Sequence, residues 1–134
     1  MKNSPKQLDW NATGVVSPSV DQGHCGSCWA FVTAGTMESL FAINNPLLPL
    51  PSYSVQYLLE CDTTNFGCGG GWMADSYLWT IDHGIVHTSD YPHVYSAKKP
   101  VNCAAINKNA PRFYNKHSNE EDFTSNEFLK AILA

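Results

Sequence analysis

Cys28 lies in the stretch Asp21-Gln22-Gly23-His24-Cys25-Gly26-Ser27-Cys28-Trp29-Ala30-Phe31, which combines a reactive thiol, a nearby amide side chain and two glycines. Gly23 and Gly26 allow tight bends and leave room above the backbone for a ligand. Ser27 is expected to cap a helix, because Phe31, Val32, Met37, Leu40 and Phe41 recur after it at helical spacing. Cys28 then lies in the first turn, where unpaired backbone N–H groups and the helix dipole favour an anionic sulfur. The chemistry this suits is nucleophilic attack on a carbonyl carbon.

Other chemistries use the same cysteines. Cys25-Gly26-Ser27-Cys28 is a C-x-x-C, the spacing of a redox pair, but the strand that should precede it in a βαβ unit is not evident. Zinc held by Cys25, Cys28, Cys61 and Cys68 would need the second pair at a six-residue spacing, outside the usual short knuckle. No metal or other cofactor is expected. A second informative loop is Phe66-Gly67-Cys68-Gly69-Gly70-Gly71. A glycine run costs conformational entropy, so it implies a close approach between this backbone and something else. Trp72 and Met73 follow it, placed either to contact a ligand or to pack into a core at a helix start.

Cys25 to Trp29 reproduces the Cys-Gly-(Ser/Ala)-Cys-(Trp/Tyr) signature, and in this the chain resembles the papain/cathepsin family of cysteine peptidases. The resemblance makes Cys28 the catalytic nucleophile. Gln22, six residues earlier, resembles the family's oxyanion-hole glutamine, whose amide would act with the Cys28 backbone N–H on the developing oxyanion. It also implies disulfides Cys25–Cys68 and Cys61–Cys103, leaving one of the five cysteines, Cys28, as a free thiol. Each bridge closes a loop worth roughly 3–4 kcal/mol in the chain-entropy model. The Gly-Cys-x-Gly-Gly pattern of the family places Gly70 and Gly71, together with Gly26, where extended substrate runs like an added β-strand. Trp72 and Met73 fall at the S3 and S2 subsites, and Met73 suggests an apolar, adaptable S2 pocket. The Leu-Ser-x-Gln-x-Leu-x-x-Cys segment of the family is matched around Ser54 to Cys61, with Tyr53 in the leucine position. Leu8-Asp9-Trp10 resembles its mature N-terminus, and Gly84-Ile85 and Tyr91-Pro92 its Gly-Ile…Tyr-Pro segment.

The elements that must hold these residues can be read from breakers and caps. A first helix is expected from about 27 to 43, stopped by Asn44-Asn45-Pro46 because proline disfavours helix before it. Pro46, Pro49 and Pro51 stiffen the connector, and Ser54 can cap a short helix through Cys61. A third helical pattern runs from Trp72 to His83, with Gly84 as its terminating residue and His83 suited to the dipole. Residues 104–119 read as loop with one strand near Phe113-Tyr114, and Thr124-Ser125-Asn126-Glu127 as a capping box opening a final helix. The fold class implied is α+β and papain-like. Its helical left lobe (about 10–112) carries the central helix that begins at the catalytic Cys28, and residues 1–9 and 113–134 open a β-barrel-like right lobe that is largely missing.

With 134 residues, the chain is one domain able to bury about two-thirds of its unfolded surface. A hydrophobic content of 43% supports a packed core, and a net charge of −4 argues against nucleic-acid binding. No stretch is long enough to span a membrane. Met1 to Pro5 lacks the apolar core of a signal peptide, yet disulfides call for an oxidising compartment. The chain is therefore read as an excerpt of a longer lysosomal, vacuolar or secreted precursor, a route that the sequon Asn11-Ala12-Thr13 also suits.

Thiol hydrolysis of an amide also needs a histidine and an orienting Asn or Asp, which in this family lie about 130–150 residues beyond the cysteine. Only residues 29–134 follow Cys28, and His24, His83, His87, His93 and His117 match no catalytic position. The expectation is the nucleophile-bearing part of a cysteine endopeptidase, acting on extended peptides once sequence beyond these residues, or a second chain, supplies His and Asn. By itself it should be nearly inactive. A non-catalytic module that captures peptides along the same cleft wall is the alternative.

Overall fold

The computed structural model describes residues 7–92, 103, 106 and 109–116. Three α-helices make its body: α1 (Cys28–Asn44), α2 (Val55–Cys61) and α3 (Met73–His83), with 3₁₀ turns at Asn11–Thr13 and Gly67–Gly69. Among the described residues β-structure is limited to isolated antiparallel bridges, Tyr53 with His87 and Ile85 with Phe113. The strand expected at Phe113-Tyr114 is thus a single bridge at Phe113, closed by reciprocal backbone bonds of 2.8 and 2.9 Å with Ile85. The helix expected from Thr124, and His93 and His117, lie outside the described residues.

The central helix α1 turns Trp29, Ala30, Thr33, Ala34, Met37 and Glu38 inward, three to four residues apart, and packs on both α2 and α3. Small side chains at Ala30 and Ala34 let its neighbours come close. Every residue of α2 but Glu60 is buried, so this short helix is a core element. It starts where Ser54 accepts the Tyr57 N–H at 3.0 Å. From α3, Trp79 fills the space beside Tyr57, their ring centroids 5.8 Å apart, and His83 stacks on Trp79 at 4.4 Å. Trp10, by contrast, is exposed and contributes nothing to the core.

Disulfides pin this body at two places. Cys25–Cys68 joins the loop before α1 to the glycine-rich loop, and Cys61–Cys103 ties the end of α2 to the later chain. As disulfide sulfurs, Cys25, Cys61 and Cys68 are not available as the thiolates that a zinc site or a Cys25–Cys28 redox pair would need.

Candidate active site

Cys28 is the first residue of α1 and the free cysteine of the chain, exposed at the helix mouth. Ser27 occupies the N-cap position, but its hydroxyl does not cap. Its φ of −98° and ψ of 9° lie outside the extended region a capping side chain uses, and Oγ instead donates back to the Cys25 carbonyl at 3.3 Å. The consequence is chemical. The Ala30 and Phe31 N–H groups bond to the Ser27 carbonyl, while those of Cys28 and Trp29 have no acceptor among the described residues. The unpaired Cys28 N–H therefore lies at the exposed helix mouth with its own sulfur, while that of Trp29 belongs to a fully buried residue.

The Gln22 amide Nε2 donates to the Cys25 carbonyl at 2.8 Å, which fixes the side chain against the loop that delivers Cys28. Nε2 carries a second hydrogen, so the anchored amide still has one donor to offer. Gly23 turns the chain just after it with φ +62° and bonds its N–H to Asp21 at 2.8 Å.

Gly26 is where the two loops meet. Its N–H donates to the Cys68 carbonyl at 3.0 Å, and a Cβ there would stand 2.7 Å from that oxygen and 3.3 Å from the Gly70 nitrogen. Any side chain would push the glycine-rich loop away from the thiol. Trp29 secures the same junction from below, donating from Nε1 to the Gly67 carbonyl at 3.1 Å. Along the loop, Gly70 accepts the Phe66 N–H at 3.0 Å, whereas the N–H and C=O of Gly71 have no partner among the described residues. An extended chain could pair with that free couple. Trp72 stands 73% exposed and Met73 is also exposed, so neither packs into the core at the start of α3.

Two residues of this surface were not singled out by the sequence. Phe66, 81% exposed, immediately precedes the glycine loop. An aromatic residue immediately before a Gly-Cys pair was the available signal. Asn65 is buried beneath the loop, and its Oδ1 accepts the Trp72 N–H at 2.7 Å. His83 and His87 lie elsewhere. His83 is stacked on Trp79 at the far end of α3, and His87 on Tyr53. Tyr53 in turn is bonded to Glu38, which lies about 15 Å along α1 from Cys28. His24 is exposed on the loop.

Comparison with known proteins agrees with this geometry. The family model for the papain family cysteine proteases matches residues 4–134. Mexicain from Jacaratia mexicana is 37% identical over 110 residues, covering 82% of this chain and 49% of the relative. Chymopapain from Carica papaya is 43% identical over 111 residues, covering 82% of this chain and 30% of the relative. Among solved structures, the Carica candamarcensis cysteine protease CMS1MS2 in complex with E-64 superposes with a TM-score of 0.69 at 29% identity, covering 84% of this chain and 49% of that one. The ragweed pollen allergen Amb a 11, a cysteine protease in its proform, superposes with a TM-score of 0.72 at 34% identity, over 84% of this chain and 34% of that one. The chain thus spans half or less of the length of these relatives, and its three helices are the helical lobe of their fold. With signature, fold and family model in agreement, this chain belongs to the papain family of cysteine proteases.

Proposed function

We propose that this chain is the nucleophile-bearing part of a papain-like cysteine endopeptidase. The observation that carries the reading is an exposed free thiol at the head of α1 whose own N–H is unpaired, near the unpaired backbone of Gly71. Substrate lies extended along Gly70 and Gly71, with Trp72 and Met73 lining the S3 and S2 subsites and an apolar residue preferred at P2. The Cys28 sulfur attacks the scissile carbonyl carbon, the π electrons move to oxygen, and the Cys28 N–H and Gln22 Nε2 hold that oxyanion. Collapse to the acyl-thioester expels the amine, which must receive a proton. Water then attacks the thioester and regenerates the thiol. The imidazole that supplies the proton, and the Asn or Asp that orients it, come from outside these 134 residues, so the chain by itself turns over negligibly. In this reading residues from about 10 to 112 form the left lobe, and 1–9 and 113–134 begin the right. The two disulfides suit a lysosomal, vacuolar or secreted setting.

Thiol labelling tests the recognition half without requiring turnover. A peptidyl chloromethyl ketone with an apolar P2 residue should alkylate Cys28 faster, relative to iodoacetamide, than it alkylates a short cysteine peptide. A competing unreactive peptide of the same sequence should slow the first reagent and not the second. Equal ratios and no protection would reject the proposal. The exposed aromatic pair Phe66 and Trp72 also favours a second reading, a peptide-capture module that needs no thiolate. Binding of the unreactive peptide to Cys28-alkylated protein, with no turnover restored by any right-lobe complement, is the outcome that selects it.

A further inference from the structure

We infer that Asn65 is a positioning residue that locks the Gly71–Trp72 peptide plane so that the Gly71 carbonyl faces the peptide-binding side; this rests on the function proposed above. Asn65 Oδ1 accepts the Trp72 N–H at 2.7 Å, and Nδ2 donates to Asp62 Oδ2 at 2.9 Å. The amide can be oriented only this way, because the Trp72 N–H requires an oxygen and the Asp62 carboxylate requires a donor. Asp62 is itself held, its Oδ1 accepting the Thr64 N–H at 2.8 Å and the Thr64 hydroxyl. Asp62 is the C-cap of α2 and Trp72 the N-cap of α3, so this buried polar chain spans the base of the loop between two fixed helix ends.

The consequence follows from the planarity of the peptide bond. In a trans peptide the Gly71 C=O and the Trp72 N–H point in opposite directions. An N–H held down on Asn65 turns the carbonyl up and out, which is where an extended substrate's N–H would donate. Without the lock, Gly70 and Gly71 are free to rotate that plane, since glycine has no Cβ to resist it. The lock also explains why position 71 has no side chain: a Cβ there would meet Asn65 Oδ1 and lie 2.9 Å from Asn65 Cβ.

The test is a substrate–protein cycle on the full chain. Peptidyl chloromethyl ketones methylated at one backbone nitrogen at a time identify the N–H whose loss slows labelling of wild-type Cys28 most. Asn65→Ala should slow the unmethylated reagent by about tenfold, the worth of one well-formed hydrogen bond, and leave the iodoacetamide rate unchanged. In that variant the same methylation should then cost little more, because the carbonyl it depended on is no longer presented. Full additivity of the two losses, or an Asn65→Ala variant that labels as wild type, overturns the inference. A wild-type chain with no peptide preference removes the proposed function, and the inference with it. If Asn65→Ala does not fold, hydrogen exchange at the Trp72 N–H of the wild type decides: strong protection is expected, and exchange at the rate of an open loop refutes the lock.

Discussion

Glu38 is a carboxylate buried on the central helix, and its two oxygens are occupied by the Ser17 hydroxyl and by the Tyr53 N–H at 2.7 Å. It joins the extended N-terminal segment to α1 and to the chain just before α2. Tyr53 feels it as well. Burial first, and the Glu38 charge second, push the Tyr53 phenol from 10.0 up to about 12. Tyr91 is also pushed up, by burial and then by its hydrogen bond and charge contact with Glu60. The sign of the linkage is set by which state loses its proton first. In the unfolded chain these phenols ionise near pH 10, while in the folded chain they hold on longer. The Tyr53 contribution is therefore complete below pH 10 and is lost as pH rises from 10 toward about 12, while that of Tyr91 is lost over the same rise and beyond it. Stability measured by urea unfolding should fall across that interval in the wild type and fall less steeply in Tyr53→Phe, which keeps the ring and the Tyr53 N–H. Parallel slopes for the two proteins would show that Tyr53 ionises as freely in the folded chain as in the unfolded one.

Helix starts separate the part of this chain that presents the free thiol from the parts that only hold it together. Ser54 and Ser27 look alike in sequence, each preceding a run of helix formers, and both read as caps. Ser54 accepts the Tyr57 N–H at 3.0 Å and donates to the Tyr91 carbonyl at 2.6 Å. Ser27 caps nothing, and the Cys28 N–H beside it is left without an acceptor among the described residues. Ser54→Ala should thus cost about 2 kcal/mol, the upper part of the range for a lost cap, because the part-buried Tyr91 carbonyl also loses its donor. Ser27→Ala should cost well under about 1 kcal/mol. Denaturant midpoints of the two variants check the contrast, and a Ser27→Ala as damaging as Ser54→Ala would show that the Ser27 hydroxyl does cap α1. The helix limits themselves were legible because prolines, glycines and periodicity punctuate them: α1, α2 and α3 fall within a residue of expectation. What local pattern could not show was long-range. Nothing around Asn65 distinguishes a turn asparagine from one whose amide is buried under Trp72, and the helical spacing that grouped Val32 and Leu40 with Met37 did not show that they stand on the outer side of α1. The family signature from Cys25 to Trp29 was legible for the opposite reason. Its residues are contiguous, so their spacing alone brings them together.

At the scale of the whole molecule, the outer side of α1 is the feature that sets behaviour in solution. A helix bordering water normally carries polar residues on that side, and one that is apolar all round is normally covered all round. Here Val32 is 45% exposed and Leu40 51%, with Ile43 beside them, and Leu8, Trp10, Val16 and Val20 of the N-terminal segment are exposed too. A modest net charge of −4 offers little repulsion between copies to offset that surface. Exposed apolar groups of this kind associate by the same burial that builds a core. The chain at neutral pH should therefore sediment faster as its concentration rises. Val32→Lys combined with Leu40→Glu should abolish that dependence, since neither side chain lies in the core and both are exposed. A wild-type chain that sediments as a monomer at every concentration would mean that this face does not drive contact between copies. A double variant that still self-associates would move the sticky surface from α1 to the exposed Phe66 and Trp72, and a competing peptide along Gly70 and Gly71 should then disperse it.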